Sequence, residues 1–452
     1  MTGRERPSQN RPALGRARPR VLIVGGGFAG VAAARALRGV AADVVLIDRR
    51  NHQIFQPLLY QVATAVLAPA DVAAPIRQIA ATQRNLTVKM AEVTSIDVGE
   101  RVVALSLPNG EVATVTFDYL VLATGVRPSY FGHDEFAEHA PGLKTLADAE
   151  TIRSKILGAY ELAELTQDPE ERERLMTFVL VGGGPTGVEL AASIAQMAQV
   201  TLRDDFRTIR PADTRVILLE GGPRILPSFD PTLSARAEQQ LHRLGVEVST
   251  GALVEQIDSE GVIVAKARIR SATVLWTAGV APSPLAKMLG VETDKAGRVR
   301  VGPCLEASGV PGVFVAGDTA SVLQDAKPVP GVAQAAIQQG AYAGDFIARE
   351  VAGRPRPGPF RYFDKGAMAV VGKNFALLQS PRVRMSGFLT WGVWAFIHIA
   401  FLPRIQNRLR VNVQWLWSYF TGQRSSRLIA ETGRELPRPA GPAGPAAVAG
   451  GA

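Results

Sequence analysis

Residues 20–30 read Arg20-Val-Leu-Ile-Val24-Gly25-Gly26-Gly27-Phe28-Ala29-Gly30, a short apolar run that opens directly into a glycine-rich turn. The alanine-rich stretch that follows to about Gly39 has the composition of a helix. Asp43-Val-Val-Leu-Ile-Asp48 then supplies a second strand, so residues 20–48 make a strand–helix–strand unit. In that setting Gly25 permits the tight turn and Gly27 lets a pyrophosphate approach the backbone. Gly30, with Ala34, lets the helix pack close to the sheet. Phosphates are favoured at the positive end of such a helix. Asp48, ending the second strand, stands where a carboxylate meets ribose hydroxyls.

The pattern recurs. Thr177-Phe-Val-Leu-Val181 runs into Gly182-Gly-Gly-Pro-Thr-Gly187, a small-residue helix follows with Ala191 in the packing position, and Arg215-Val-Ile-Leu-Leu-Glu220 is the next strand. Gly182, Gly184 and Gly187 repeat the roles of the first loop, so the chain carries two dinucleotide sites. Glu220 lies well beyond the usual spacing of about 20 residues, which requires an extended or added helix before its strand. At a ribose it would repel a 2′-phosphate and favour NADH over NADPH; read alone it is also an ordinary solvated strand-end acid. Glu189 has two readings as well, as a first-turn acid complementing the helix dipole or as a group at the nicotinamide.

Length and composition set the frame. A chain of 452 residues, 47% hydrophobic and 20% charged, is a folded protein of two or three domains. The net charge of +9 suggests an anionic partner without choosing among nucleic acid, lipid and acidic protein. No aromatic-interleaved basic groove points to nucleic acid. Residues 1–19 form a basic tail that reads as disordered, with arginines from Arg4 to Arg18 and no apolar run before Val21, which argues against an export signal. Cys304 is the single cysteine. An intramolecular disulfide, a redox CxxC pair and a cysteine-ligated iron–sulfur cluster are thereby excluded, and no metal site is expected.

The nested loops, with the strand endings Ala123-Thr-Gly125 and Gly317-Asp318, resemble the two-dinucleotide-binding flavoprotein reductases. More specific segments resemble type II NADH:quinone oxidoreductases: His52-Gln-Ile-Phe-Gln-Pro-Leu-Leu-Tyr-Gln61, Pro75-Ile-Arg77, Gly182 to Glu189, and Ala333-Gln-Ala-Ala-Ile-Gln338. Tyr362-x-Asp-x-Gly-x-Met-Ala and Trp391-x-x-Trp-Ala-x-Ile-His-Ile extend the match toward the C-terminus. The resemblance implies an α/β fold of two nested Rossmann-like domains plus a C-terminal membrane-associating segment. It implies FAD, bound tightly without a covalent link, on Gly25, Gly27, Gly30, Asp48, Gly125, Gly317 and Asp318. NADH would bind on Gly182, Gly184, Gly187 and Glu220. Glu189, Gln334 and Gln338 would stand at the reaction site, with the two glutamines four apart on one helix face beside the flavin ring. Read alone, Asp318 is equally a helix cap and the glutamines a solvated face.

The domain reading is an FAD-binding part at 20–140, a helical connection at 141–175, an NADH-binding domain at 176–285 and a second FAD part at 286–371. A C-terminal segment follows at 372–435, then a Pro/Ala/Gly tail at 436–452. Four of the five tryptophans, Trp391, Trp394, Trp415 and Trp417, lie in that segment with Arg404, Arg408 and Arg410. Its apolar run is short for a membrane span, which needs about 20 residues, so a peripheral anchor at about 380–420 on the cytoplasmic face of the membrane is expected. A helical hairpin inside a homodimer is the alternative. His398 is assigned no chemistry. The expected reaction passes a hydride from NADH to FAD and two electrons to a membrane quinone, without proton pumping. The competing readings are a soluble ferredoxin- or rubredoxin-type reductase and a flavin-based redox sensor. Disulfide and sulfide:quinone reductases need paired cysteines that this chain lacks.

Overall fold

The computed structural model describes residues 18–429, so most of the basic tail and all of the 436–452 tail lie outside the described residues. Two compact units emerge. The first comprises the chain up to Asn51, Ala80–Gly125 and Pro284–Tyr362; the second comprises His52–Ile79, Val126–Ser283 and the chain from Phe363. These divisions fall at different places from the boundaries read in the sequence. Residues 52–79 and the 146–165 helix join the second unit, as does everything after Tyr362.

The first unit is built on a five-stranded parallel sheet in the order Val313–Val315, Tyr119–Leu122, Arg20–Val24, Asp43–Asp48, Leu86–Met90. Leu22, Val24, Val45 and Ile47 bury one face of it beneath an antiparallel meander of Glu92–Asp97, Val102–Ser106 and Val112–Thr116. Helices Phe28–Ala36 and Ala333–Val351 cross at van der Waals distance because their contact is made of small residues. A Cβ on Gly340 would fall 2.0 Å from the Ala29 carbonyl oxygen, and one on Gly344 2.7 Å from that of Ala33.

The second unit has a four-stranded parallel sheet in the order Val246–Thr250, Arg215–Glu220, Thr177–Val181, Thr273–Trp276. Thr177–Val181 is buried along its whole length, as a central parallel strand covered on both faces must be. Tyr130, Phe136 and Trp276 join the hairpins of Val254–Arg270 in a core on one face. The Leu146–Leu165 helix starts at a capping box. Thr145 accepts the Asp148 amide hydrogen at 3.1 Å and Asp148 accepts that of Thr145 at 2.8 Å.

After Phe363 the chain adds an antiparallel sheet, Ala367–Val370, Ala376–Gln379 and Arg384–Gly387. Two helices follow, Phe388–Phe401 and Ile405–Thr421. Among the described residues no helix is long and apolar enough to cross a membrane.

Candidate functional site

Each glycine loop is shaped by contacts that only glycine tolerates. Gly25 has φ +104°, and a Cβ there would lie 2.3 Å from the Ala123 carbonyl oxygen; one on Gly30 would lie 1.8 Å from that of Gly25. Gly27, the N-cap of its helix, has open space around it and no side-chain cap. The second loop repeats this. Gly182 has φ +111°, a Cβ on Gly187 would fall 2.0 Å from the Gly182 oxygen, and the N-cap Gly184 is again open. In both loops a glycine N-cap without a side-chain cap opens the helix, the arrangement that receives phosphate oxygens.

Both strand-end acids turn back onto their loops. Asp48 accepts the Gly26 amide hydrogen at 2.6 Å and that of Arg50 at 2.8 Å. Glu220 accepts from Gly183 at 2.6 Å and from Gly222 at 2.6 Å. The unusual spacing before Glu220 is taken up by an extended helix, Pro185–Gln196 running directly into a π turn at Met197–Thr201, followed by a loop and a short 3-10 turn at Pro211–Asp213. Glu164 stabilises that loop, accepting the amide hydrogens of Arg207, Thr208 and Ile209 at 2.9 to 3.1 Å.

Around the first loop the structure adds residues that the sequence did not single out. Two residues after Asp48, Nε and Nη1 of Arg50 are buried without a hydrogen-bond partner among the described residues, Nε lying 4.0 Å from Oδ1 of Asp48. Buried donors of this kind call for an anionic or polar ligand. Gly317, at φ +77°, donates its amide hydrogen to Gln339 at 2.6 Å, and Thr319 donates to the carbonyl of Gly125 at 3.0 Å. Asp318 sits in the 3-10 turn Gly317–Thr319, beside Gly331. The helix of Gln334 and Gln338 starts at Ala333, with Val332 as N-cap, and both glutamines are half-buried on one face. Their neighbour Gln339 points the other way, into the core.

Glu189 is not a first-turn acid: the first turn of Pro185–Gln196 contains none. As a residue it is only partly exposed, and its carboxyl is enclosed, which pushes its pKa up to about 8. One hydrogen bond, from the Val370 amide at 3.3 Å, works against that shift. A neutral, enclosed carboxyl fits proton chemistry better than dipole compensation.

The C-terminal helices have a polar and aromatic inner side. Trp394 stacks on Trp415 with centroids 5.3 Å apart, and Trp391 lies 5.6 Å from Tyr419. Asn407 donates to the carbonyls of Ala70, Asp71 and Ala73. Arg424, just beyond the last helix, is buried and donates to the carbonyls of Thr64 and Ser193. His398 packs against Trp394 and Phe55, and burial lowers its pKa to about 4, which leaves it a neutral packing group. Of the four tryptophans in the segment expected to be a peripheral anchor, Trp417 is 59% exposed, Trp391 and Trp415 are half-buried and Trp394 is buried. Aliphatic and phenyl groups make the outer face instead: Phe388, Leu389 and Phe396 on one helix, Ile405, Leu409, Val413 and Phe420 on the other. Arg408 and Arg410 are exposed beside them.

Comparison with known proteins agrees with this geometry. Residues 19–340 match the family model described as pyridine nucleotide-disulphide oxidoreductase. The chain is similar to the type II NADH:quinone oxidoreductase NdhA of Mycobacterium tuberculosis, 42% identical over 436 residues that cover 93% of this chain and 92% of the relative. A second protein of that organism, the type II NADH:quinone oxidoreductase Ndh, is also 42% identical, over 94% and 93% of the two chains. Among solved structures, NDH2 of Plasmodium falciparum in complex with NADH superposes with a TM-score of 0.82 over 90% of this chain and 99% of that one, at 19% identity, a likeness of fold.

Proposed function

The chain belongs to the type II NADH:quinone oxidoreductases, within the pyridine nucleotide-disulphide oxidoreductase family, and from that premise we propose that it oxidises NADH and reduces a membrane quinone by way of FAD. The observation that carries the reading is the pair of matching loops, each with an open glycine N-cap and a carboxylate folded onto its amides.

In this reading the first unit holds FAD and the second NADH. The amides following Gly27 receive the FAD pyrophosphate, Asp48 takes the ribose hydroxyls, and the orphaned Arg50 donors fit the same end of the ligand. Gly125, Gly317 and Asp318 hold the ribityl and phosphate region, with Gln339 fixing the Gly317 turn. Bound FAD supplies hydride acceptance from C4 of the nicotinamide and release of two electrons, chemistry that no side chain here provides. Gly182, Gly184 and Gly187 seat the NADH pyrophosphate, and Glu220 meets its ribose and repels a 2′-phosphate. Glu189 holds a proton near neutral pH, and Gln334 and Gln338 offer amide hydrogens to a quinone oxygen. Despite the family name, a single cysteine leaves no disulfide chemistry to perform.

The outer face of the C-terminal helices supports docking at the cytoplasmic surface of the membrane as a peripheral protein. Full burial of each large apolar side chain is worth about 1.5–3 kcal/mol, and the exposed arginines add attraction to anionic headgroups. A soluble reductase has no need of this face. A second copy would cover it equally well, and sedimentation in detergent-free buffer as a function of concentration separates a homodimer from lipid binding.

Anaerobic reduction with NADH, followed by addition of a short-chain quinone, tests the reaction. Bleaching of the flavin's visible absorption and its rapid return with quinone are expected. Bleaching without return removes quinone as the acceptor and moves it to a protein.

A further inference from the structure

Phe131, in the second unit, combines a strained backbone with an exposed ring. Its φ is +54°, a conformation that a bulky L-residue rarely adopts, and the residue is 68% exposed. The chain around it is anchored. The Tyr130 hydroxyl donates to the Ala140 carbonyl at 2.9 Å, the Ser129 amide donates to the Gly279 carbonyl at 3.4 Å, and the Trp276 indole donates to the Ser129 carbonyl at 2.9 Å. The far edge of the Phe131 ring rests on Gly279. A Cβ on Gly279, whose own φ is +68°, would fall 2.4 Å from Cζ of the ring and 2.8 Å from Cε2, so only glycine fits there. The contact uses the edge of the ring and leaves its faces to solvent.

Gly279 ends the turn after the strand Thr273–Trp276, and that turn abuts the second glycine loop. The Thr277 hydroxyl donates to the Gly182 carbonyl at 2.8 Å, and a Cβ on Gly182 would fall 2.6 Å from the Ala278 nitrogen. Loop, turn and ring therefore follow one another at the C-terminal ends of the strands. Strand order decides which half of a dinucleotide meets the ring. Arg215–Glu220 and Val246–Thr250 lie on one side of Thr177–Val181, and Thr273–Trp276 lies on the other, so the switch point of the sheet falls between Thr177–Val181 and Thr273–Trp276. A dinucleotide lies across that point. With its adenosine ribose at Glu220 and its pyrophosphate at the Gly184 N-cap, the remaining half extends over the turn that carries Phe131.

We propose that Phe131 is an apolar contact for the nicotinamide riboside half of NADH, its positive φ holding the ring out over the Gly279 turn. The inference rests on the reading of the second loop as the NADH site and names a further residue of that site. A phenyl face suits this half of the ligand in both redox states. It sheds water against the neutral dihydronicotinamide and attracts the pyridinium cation of the oxidised form. Strain at a residue whose neighbours are all tied down keeps the side chain where the ligand arrives.

The test compares two ligands that share an adenosine end. NAD and ADP-ribose, which lacks the nicotinamide, are titrated calorimetrically into the full chain with FAD bound and oxidised, so that no hydride moves. Phe131→Ala should weaken NAD binding by about three- to tenfold and leave ADP-ribose binding unchanged. Phe131→Tyr should bind both ligands as the wild type does. Phe131→Gly, which suits the positive φ, should lose NAD affinity as Phe131→Ala does while keeping the wild-type melting temperature. Equal losses for NAD and ADP-ribose would mean that the ring only supports the turn. That result, or unchanged NAD binding in Phe131→Ala, overturns this inference while the second loop remains the NADH site. If the wild type binds neither ligand, both readings fall. Should Phe131→Ala fail to fold, Phe131→Gly decides by the same comparison.

Discussion

Glu220 accepts the amide hydrogen of Gly183 at 2.6 Å, so the acid at the end of one strand holds the loop at the end of its neighbour. Its second oxygen takes the Gly222 amide at the same 2.6 Å, and Asp48 makes the matching contact with Gly26 at 2.6 Å in the other unit. These carboxylates therefore shape the loops, whatever they also bind.

Replacing Glu220 with Ala should consequently do two things. The NADPH-to-NADH ratio of kcat/KM should rise by about tenfold, the equivalent of ~1.4 kcal/mol of relieved repulsion. KM for NADH should rise as well, because two loop amides lose their acceptor. Steady-state kinetics with both nucleotides checks this, and an unchanged ratio removes Glu220 from the ribose site.

Glu189 makes stability depend on pH in a direction opposite to that of a salt-bridged acid. Its folded pKa, about 8, lies above the ordinary 4.5. Below pH ~4.5 both states are protonated and the group contributes nothing. Between there and about pH 8 only the unfolded chain releases its proton, so stability falls as pH rises, by on the order of a few kcal/mol in all. Glu189→Gln should stabilise the protein relative to wild type more at pH 8 than at pH 5, by thermal or urea unfolding. Equal differences at the two pH values would show that the carboxyl is not held neutral.

The crossing of helices Phe28–Ala36 and Ala333–Val351 leaves no room at Gly340. Alanine there would place its Cβ 2.0 Å from the Ala29 carbonyl oxygen, in the turn just after the FAD loop. Gly340→Ala should cost about 1–3 kcal/mol or more and lower the flavin content of the purified protein. Gly392→Ala, inside the Phe388–Phe401 helix with open space around it, is the control for adding a methyl group to a helical glycine. If Gly340→Ala retains full flavin and the wild-type melting temperature, the close crossing is not what holds the loop.

Membrane release is best tested on the outer face alone. Deleting the chain from about Ser380 would also remove Trp394, Asn407, Val411 and Arg424, which are buried in the second unit, so loss of fold would accompany loss of anchoring. Changing Leu409, Leu416 and Phe420 together to Ser should leave FAD bound and release the protein from anionic liposomes in a flotation assay. Retention on liposomes would mean that this face serves another partner. Binding by the wild type should weaken with salt if the arginines contribute.

Much of the fold was legible because its signals are local. Strand, glycine turn, helix and strand lie within a few dozen residues in each unit, and the positive φ of Gly25 and Gly182 belongs to the turn itself. Glu220 was legible as a strand-end acid and so was the extended helix before it, but not that the extension is a π turn and that the loop after it is tied to Glu164. The tryptophans illustrate the opposite case. Composition placed them at a lipid boundary, yet Trp394 is buried and Trp391 and Trp415 are half-buried, because their ring contacts with one another and with Tyr419, and the bond from Trp415 to Gln61, form only once the helices pack. Gln339 escaped notice beside Gln338, since which of two adjacent amides enters the core depends on where the helix docks.

By itself, then, the sequence determined two dinucleotide loops, their strand-end acids and the apolar character of the C-terminal segment, because each is encoded in residues adjacent along the chain. Only the tertiary structure decided that the Trp415 indole donates to Gln61 and that burial pushes the pKa of the Glu189 carboxyl up to about 8. Gln61 and Trp415 stand 354 positions apart, and no periodicity records a contact that exists only once two distant segments have packed together.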